Sequence, residues 1–495
     1  MEKSPKDMDS EVVDDKELGV TVKMTGDGIP LVPQPSDDPT DALNWSSLTK
    51  HTALVVLAFE SFLIKFSAVV VAPSALLFAE QFDVSKSTAT YLGSAPTILN
   101  AITSFIWIPL SHRMGRRPIL LLGNLVALIA AIGVANSQTF AQALGCRMVQ
   151  TFFGSVGLSI GPAAISDMFF LHEKGKRMGV NSILLVIGPY VGGVVGGAIA
   201  GSSLGWRWSV YLTAILFGAE FIAQFLFVPE TIYERDQPTP YIKLHGPLSV
   251  MRFRIPTITE SWRETFLHPF VMFAYLSVLL PAFWFSVAAM TEVGNTAGFV
   301  LNFGADSQYH FTTTQVGLCY LSGIIGAGLG EICGGPLCDL MARSSIKQNK
   351  EWRPERLLHL SWLGLLTTVA GILLYGFELE YGHSWVSALT GIALLTFGQE
   401  VLVTVLLTYM TDCYRAQASE VAIVFQFFFA VQCYHVPFYL PQWIAEPAGV
   451  KVPYLVFAVL PIVLFPPCIG SLMWKGRKIR SKGALPRKRS SLATT

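Results

Sequence analysis

Five ionisable side chains interrupt otherwise apolar runs of this sequence: Glu60, Lys65, Arg147, Glu331 and Glu400. Gln150 and Gln399 stand beside Arg147 and Glu400. Inside a bilayer such a group costs several kcal/mol unless a partner or a wet cavity receives it. The chemistry open to these groups is proton binding and release at a carboxylate, capture of a cation, or a buried ion pair. Glu60 and Lys65 are five residues apart, about 140° around a helix. They therefore do not share a face, and at most one points squarely into a central cavity. Arg147 lies about seven residues into its run, roughly 10 Å along the helix axis. Glu220 is a weaker candidate. Glu400, with Gln399, is the strongest carboxylate of the second half. Phe283–Phe285 and Phe425–Phe429 supply aromatic faces for packing or for stacking on a flat or cationic ligand. His435 is a proton-sensitive candidate or a hydrogen-bonded helix residue.

These groups need helices to hold them, and the sequence provides them. Of 495 residues, 52% are apolar and 14% charged, against about a quarter charged in soluble domains. Mean hydropathy is +0.49. The chain reads as a polytopic, all-α membrane protein. Twelve apolar spans are expected near 51–74, 89–110, 118–137, 140–166, 178–201, 206–228, 269–291, 315–336, 357–378, 384–411, 420–441 and 452–474. This gives an acidic tail (1–50), a six-helix half (51–228), a central loop (229–268), a second six-helix half (269–474) and a basic tail (475–495). Lys and Arg concentrate in alternate loops, which places both termini in the cytosol. The net charge of +1, without a basic domain, excludes nucleic-acid binding. The seven cysteines have no metal-ligand spacing and read as small apolar residues. No cofactor and no metal is expected.

One run, Gly188 to Gly201, is built for close helix contact. Gly188, Gly192/Gly193 and Gly196/Gly197 recur about every four residues and bare one backbone face. Pro189 removes a backbone donor and favours a bend. The two halves also repeat weakly: Pro109–Met114 closes the second span, Pro336–Met341 the eighth. Paired six-helix halves describe transporters with a site at the membrane midplane.

Three motifs carry a family resemblance. His112-Arg113-Met114-Gly115-Arg116-Arg117-Pro118 resembles the loop after the second helix of the major facilitator superfamily. Arg147-Met148-Val149-Gln150 resembles the motif of its fourth helix. Gly188-Pro189-Tyr190-Val191-Gly192-Gly193 resembles the fifth-helix motif of its exporters. The chain is identified over residues 50–475 as similar to the fungal twelve-span drug:proton antiporter group. Two departures stand out: His112 replaces the usual acid of the first loop, while Asp339 keeps that acid in the second half without the following Gly-Arg-Arg. The resemblance implies a proton-coupled exporter of a small organic, cationic or amphiphilic compound. Its partners would be substrate, protons and lipid, and it would act as a monomer in the plasma membrane, with the vacuolar membrane the alternative. Arg147 would tune the coupling carboxylate, Glu400 or Glu60; the alternative for it is a structural hydrogen bond to backbone of a neighbouring helix. A nutrient importer and a non-transporting sensor on the same fold are the competing readings.

Overall fold

The computed structural model describes residues 12–14, 21–24, 31–38, 41–233, 266, 269–347, 353–382, 384–414, 417–444 and 449–482. Most of the central loop and the end of the basic tail fall outside them. Among the described residues, eleven helices are long and apolar enough to cross a membrane. The twelfth, span two, is broken into pieces too short to qualify alone.

The first half contains α1 (Ser47–Val69), α2 (Ala75–Phe82), α3 (Lys86–Ser94), α4 (Leu99–Met114), α5 (Arg116–Ala135), α6 (Phe140–Gly154), α7 (Val156–Met168), α8 (Leu171–Ala200) and α9 (Trp206–Phe227). The second contains α10 (Leu276–Ala289), α11 (Thr291–Phe303), α12 (Thr313–Cys319), α13 (Leu321–Lys347), α14 (Ser361–Tyr381), α15 (Trp385–Cys413), α16 (Ala418–Ile444), α17 (Lys451–Phe465) and α18 (Ser471–Lys482).

Several spans are therefore two helices end to end. Pro73 sits in the short 3-10 turn between α1 and α2, and Pro96 in the one between α3 and α4. Each lacks a backbone N–H, so the α-helical ladder cannot run through. Span four breaks between α6 and α7, span seven between α10 and α11, and span eight between α12 and α13. Breaks in spans one and two recur in spans seven and eight, which makes the weak sequence repeat a structural one. Broken helices at membrane depth are tolerated where they line a cavity, and that is where the site lies.

Several boundaries differ from expectation. Span seven runs to Phe303, not 291, because its apolar character continues past Glu292. The N-terminal region is partly ordered ahead of residue 50: Val12–Asp14 pairs antiparallel with Thr21–Lys23. A short turn at Ala42–Asn44, capped by the buried Asp41, receives Lys50 Nζ on Leu43 O at 2.8 Å. The basic tail begins inside a helix, α18.

Helix α8 joins the halves with two glycine faces. Gly188, Gly192 and Gly196 lie against the backbone of α1 at Phe62, Phe66 and the adjoining Val70. A Cβ on Gly188 would sit 2.7 Å from Phe62 O. Gly193, Gly197 and Gly201 turn instead to the second half, against Tyr320, Gly317 and Thr314. A Cβ on Gly197 would sit 2.5 Å from Gly317 Cα. The expected single bare face is thus two faces, one within a half and one between halves.

Candidate functional site

A cavity of about 70 Å³ opens where the broken helices meet. Its wall includes Lys65 and Ala72 from span one, Thr97 and Asn100 from span two, Thr151 from span four, and Pro189 from α8. The second half contributes Glu292 and Thr296 from α11 and Gln426 and Phe429 from α16. Lys65 Nζ lies 5.5 Å above the Phe429 ring, a cation–π distance. It is within electrostatic reach of Glu292 and Glu400, and Glu400 in turn of Glu292 and Glu331. Tyr190, the residue after Pro189, is buried in a space left by Gly323 and interacts with Glu292 and Glu400. Two buried polar atoms of wall residues, Asn100 Oδ1 and Gln426 Nε2, have no hydrogen-bond partner among the described residues. Charges of both signs and unpaired polar atoms thus converge on one enclosed space.

The remaining sequence-predicted residues lie elsewhere. Among the described residues, Arg147 faces no carboxylate. Its Nε donates to Leu92 O at 3.3 Å, its Nη2 to Ala68 O at 3.3 Å, and its Nη1 to Gln150 Oε1 at 2.7 Å. Leu92 O is the acceptor that Pro96, four residues on, cannot serve. The buried guanidinium therefore replaces a donor lost at the span-two break. This arrangement is the backbone-bonding alternative for Arg147 rather than the pairing with a coupling carboxylate. Gln399 repeats the device in the second half, where its Nε2 donates to Ala288 O, just before the span-seven break, at 3.4 Å. Glu331 is half-buried and accepts from Thr404 Oγ1 at 3.4 Å.

Glu60 faces away from the cavity. Its carboxylate, 1% exposed, lies between α1, α7 and α9, in space that only Gly157 leaves open. It accepts from Gln224 Nε2 at 2.7 Å and neighbours Glu220. The acidic and basic groups do not all meet: Lys65 and Glu292 share the cavity wall with Glu400 within electrostatic reach, whereas Glu60 and Arg147 occupy separate pockets of the first half. His435 bonds Gln432 Oε1 at 2.7 Å, and the buried Trp284 donates to Pro461 O at 2.9 Å. Both belong to the packing of the second half.

The loop after span two forms a latch. Gly115, at φ 90°, makes the turn from α4 to α5 in a conformation other residues resist. The N–H groups of Arg116 and Arg117 donate to Glu230 at 3.1 Å each, a carboxylate on a helix N-terminus. Arg116 also pairs with Asp167 at the end of α7. Burial raises the Glu230 carboxyl above its usual range, and the hydrogen bonds from Ile232, Arg116 and Arg117 pull it partly back. His112, standing where an acid is usual, is exposed, and Arg113 is half-buried. The Asp339 side chain lies outside the described residues. Sequence reasoning missed Glu292 because span seven was ended one residue before it. It missed Glu230 as a functional residue, although Pro229-Glu230-Thr231 was legible.

Two bundles of broken membrane helices around a charged central cavity define a secondary transporter rather than an enzyme. The family model of the Major Facilitator Superfamily matches residues 55–433, and the chain belongs to that family. It is 28% identical over 412 residues to the uncharacterized transporter mfc1 of Schizosaccharomyces pombe, covering 79% of this chain and 83% of that one. It is 25% identical over 404 residues to the cycloheximide resistance protein of Candida maltosa, covering 77% and 71%. The crystal structure of a D-xylose-proton symporter superposes with a TM-score of 0.62 at 14% identity, over 87% of this chain and 98% of that one. That likeness supports the fold.

Proposed function

We propose that this transporter exports a small organic compound in exchange for protons, by alternating access between its two halves. The observation that carries this reading is the cavity: its wall holds Lys65 and Glu292, with Glu400 within electrostatic reach, at the breaks of spans one, two, four and seven. Substrate and proton would compete there. A protonated Glu292 or Glu400 releases Lys65 and weakens the hold on a polar substrate, whereas the ionised pair holds it. The cavity is far below the roughly 300–1,000 Å³ of a ligand pocket, so the conformation is occluded and the halves must part to admit substrate.

The end of the bundle opposite the Arg116 latch is closed by the second glycine face of α8 and by an ion pair between the halves, Lys86 to Asp306, at 2.8 Å. The basic loops assign the latch end to the cytosol, so both termini lie there, and the plasma membrane is the proposed site of action. Substrate then enters from the cytosolic end. The resistance named for the Candida maltosa relative agrees with export.

Reconstitution into proteoliposomes with cycloheximide as the first probe tests the reading. Flux should follow an imposed proton gradient, against the direction of proton flow, and Glu400→Gln should abolish the coupling. Flux in the direction of proton flow would establish an importer instead. Proton coupling that survives in E400Q and E292Q alike would refute the assignment of the site.

A further inference from the structure

The first half holds a second polar centre that the cavity does not use. Glu60 on α1 and Glu220 and Gln224 on α9 are 1%, 2% and 1% exposed. Glu220 and Gln224 are one turn apart on the same face of α9; Gln224 touches Glu60 and Glu220 lies within electrostatic reach of it. Among the three, the donor is the Gln224 amide, which bonds Glu60 Oε2 at 2.7 Å and also serves the Glu220 carboxyl. Three oxygens are left over: Glu60 Oε1, Glu220 Oε1 and Gln224 Oε1 have no partner among the described residues. A buried acceptor without a donor costs about 1–3 kcal/mol. Two adjacent carboxylates in an apolar site cannot both stay ionised.

The packing around this centre is specific. Gly157 of α7 leaves the space that the Glu60 carboxyl fills; a Cβ there would lie 2.6 Å from Glu60 Oε1. Among the described residues, no element packed on the centre brings a cation to it. On α8, Lys174 interacts with Asp167 and Arg116, and Arg177 lies over the Phe169 ring. On α7, Asp167 is at the far end, paired with Arg116. On α6, Arg147 is spent on Leu92, Ala68 and Gln150. On α5, Arg117 donates to Phe225 O at 2.6 Å and interacts with Glu230. On α9 itself, Arg207 donates to Ala135 O and Ser137 O at the opposite end. On α1, Lys65 points to the cavity.

The geometry points to a proton-binding site at Glu60, Glu220 and Gln224, in which one proton is held between the two carboxyls to join α1 to α9 away from the substrate cavity. The proton turns one carboxyl oxygen into a donor and satisfies a neighbouring acceptor. Losing it leaves two negative charges face to face, which drives α1 and α9 apart. The same α1 carries Lys65 on its cavity side and packs on the glycines of α8. Occupancy of this site is thereby transmitted to the cavity through one rigid helix.

Infrared difference spectra of the whole protein in lipid nanodiscs, recorded over a pH titration without substrate, test this. The readout is the C=O stretch of a protonated carboxyl, and it requires no flux, so it stands or falls independently of the transport reading. In Glu60→Gln and in Glu220→Gln the amide N–H takes the place of the proton, and the band should vanish in each. It should persist in Glu400→Gln. Gly157→Ala keeps both carboxyls but crowds Glu60, and should shift the band; it also serves should a glutamine variant fail to fold. A band that persists in both glutamine variants overturns the proposal. So does a band lost only in E400Q, or one displaced by sodium at constant pH, which would make the centre a metal-cation site.

Discussion

Gly197→Ala isolates the contact between the halves. The added Cβ would lie 2.5 Å from Gly317 Cα, 2.9 Å from Gly317 N and 2.9 Å from Thr313 O. All three neighbours are backbone, so none can swing aside. Restoring ordinary contact at 3.4–4 Å requires α8 and α12 to part by about 1 Å. Overpacking of this kind costs roughly 1–3 kcal/mol. The cost falls only on states in which α8 and α12 touch, that is, on states closed at the end opposite the Arg116 latch. Each 1.4 kcal/mol is a factor of ten, so the closed-to-open ratio should fall by about five- to a hundredfold. Cysteine accessibility at the cavity wall reads the change directly: labelling of A297C, a wall position only 8% exposed, should rise in the G197A background. Gly188→Ala is the matched control. Its Cβ would meet Phe62 O at 2.7 Å within the same half, so it should lower stability without raising the labelling. If G197A leaves labelling unchanged, or if G188A raises it equally, the assignment of separate roles to the two glycine faces is wrong.

Other outcomes follow from the same contacts. Lys65→Met removes the cation facing Glu292 and Glu400, and proton-driven flux in proteoliposomes should fall about tenfold, a loss near 1.4 kcal/mol; unaltered flux would exclude Lys65 from the site. Arg147→Ala orphans Leu92 O at the Pro96 break, and should lower stability by about 2–4 kcal/mol, seen as a drop in thermal midpoint; a stable variant would disprove the capping role. The raised Glu230 carboxyl binds protons more tightly in the folded protein than in the unfolded chain. Stability should therefore decline as pH rises from 4.5 through that raised value, and Glu230→Gln should remove that slope in chemical denaturation.

Much of the architecture was legible because the bilayer imposes it. A span must be about 20 apolar residues long, and a charge within it must be explained, so span positions and most candidate residues could be read from composition alone. The spacing of the glycines likewise announced a close contact. What spacing could not give was the number of surfaces involved: Gly192 and Gly193 are adjacent in sequence, yet about 100° of helix rotation sends one to α1 and the other to Tyr320. The span-seven boundary failed for a related reason. Glu292 reads as the polar end of a helix until the cavity that receives it is seen.

By itself the sequence determined that this chain crosses a membrane many times, in two related halves, with few and costly charges inside, since those features are local and set by solvent. Only the tertiary structure decided which charges meet. A side chain's partner depends on helix rotation, on proline breaks and on the depth at which distant segments pack. Hence Arg147 became a cap for Leu92, Glu60 joined Glu220, and Lys65 was left facing Glu292.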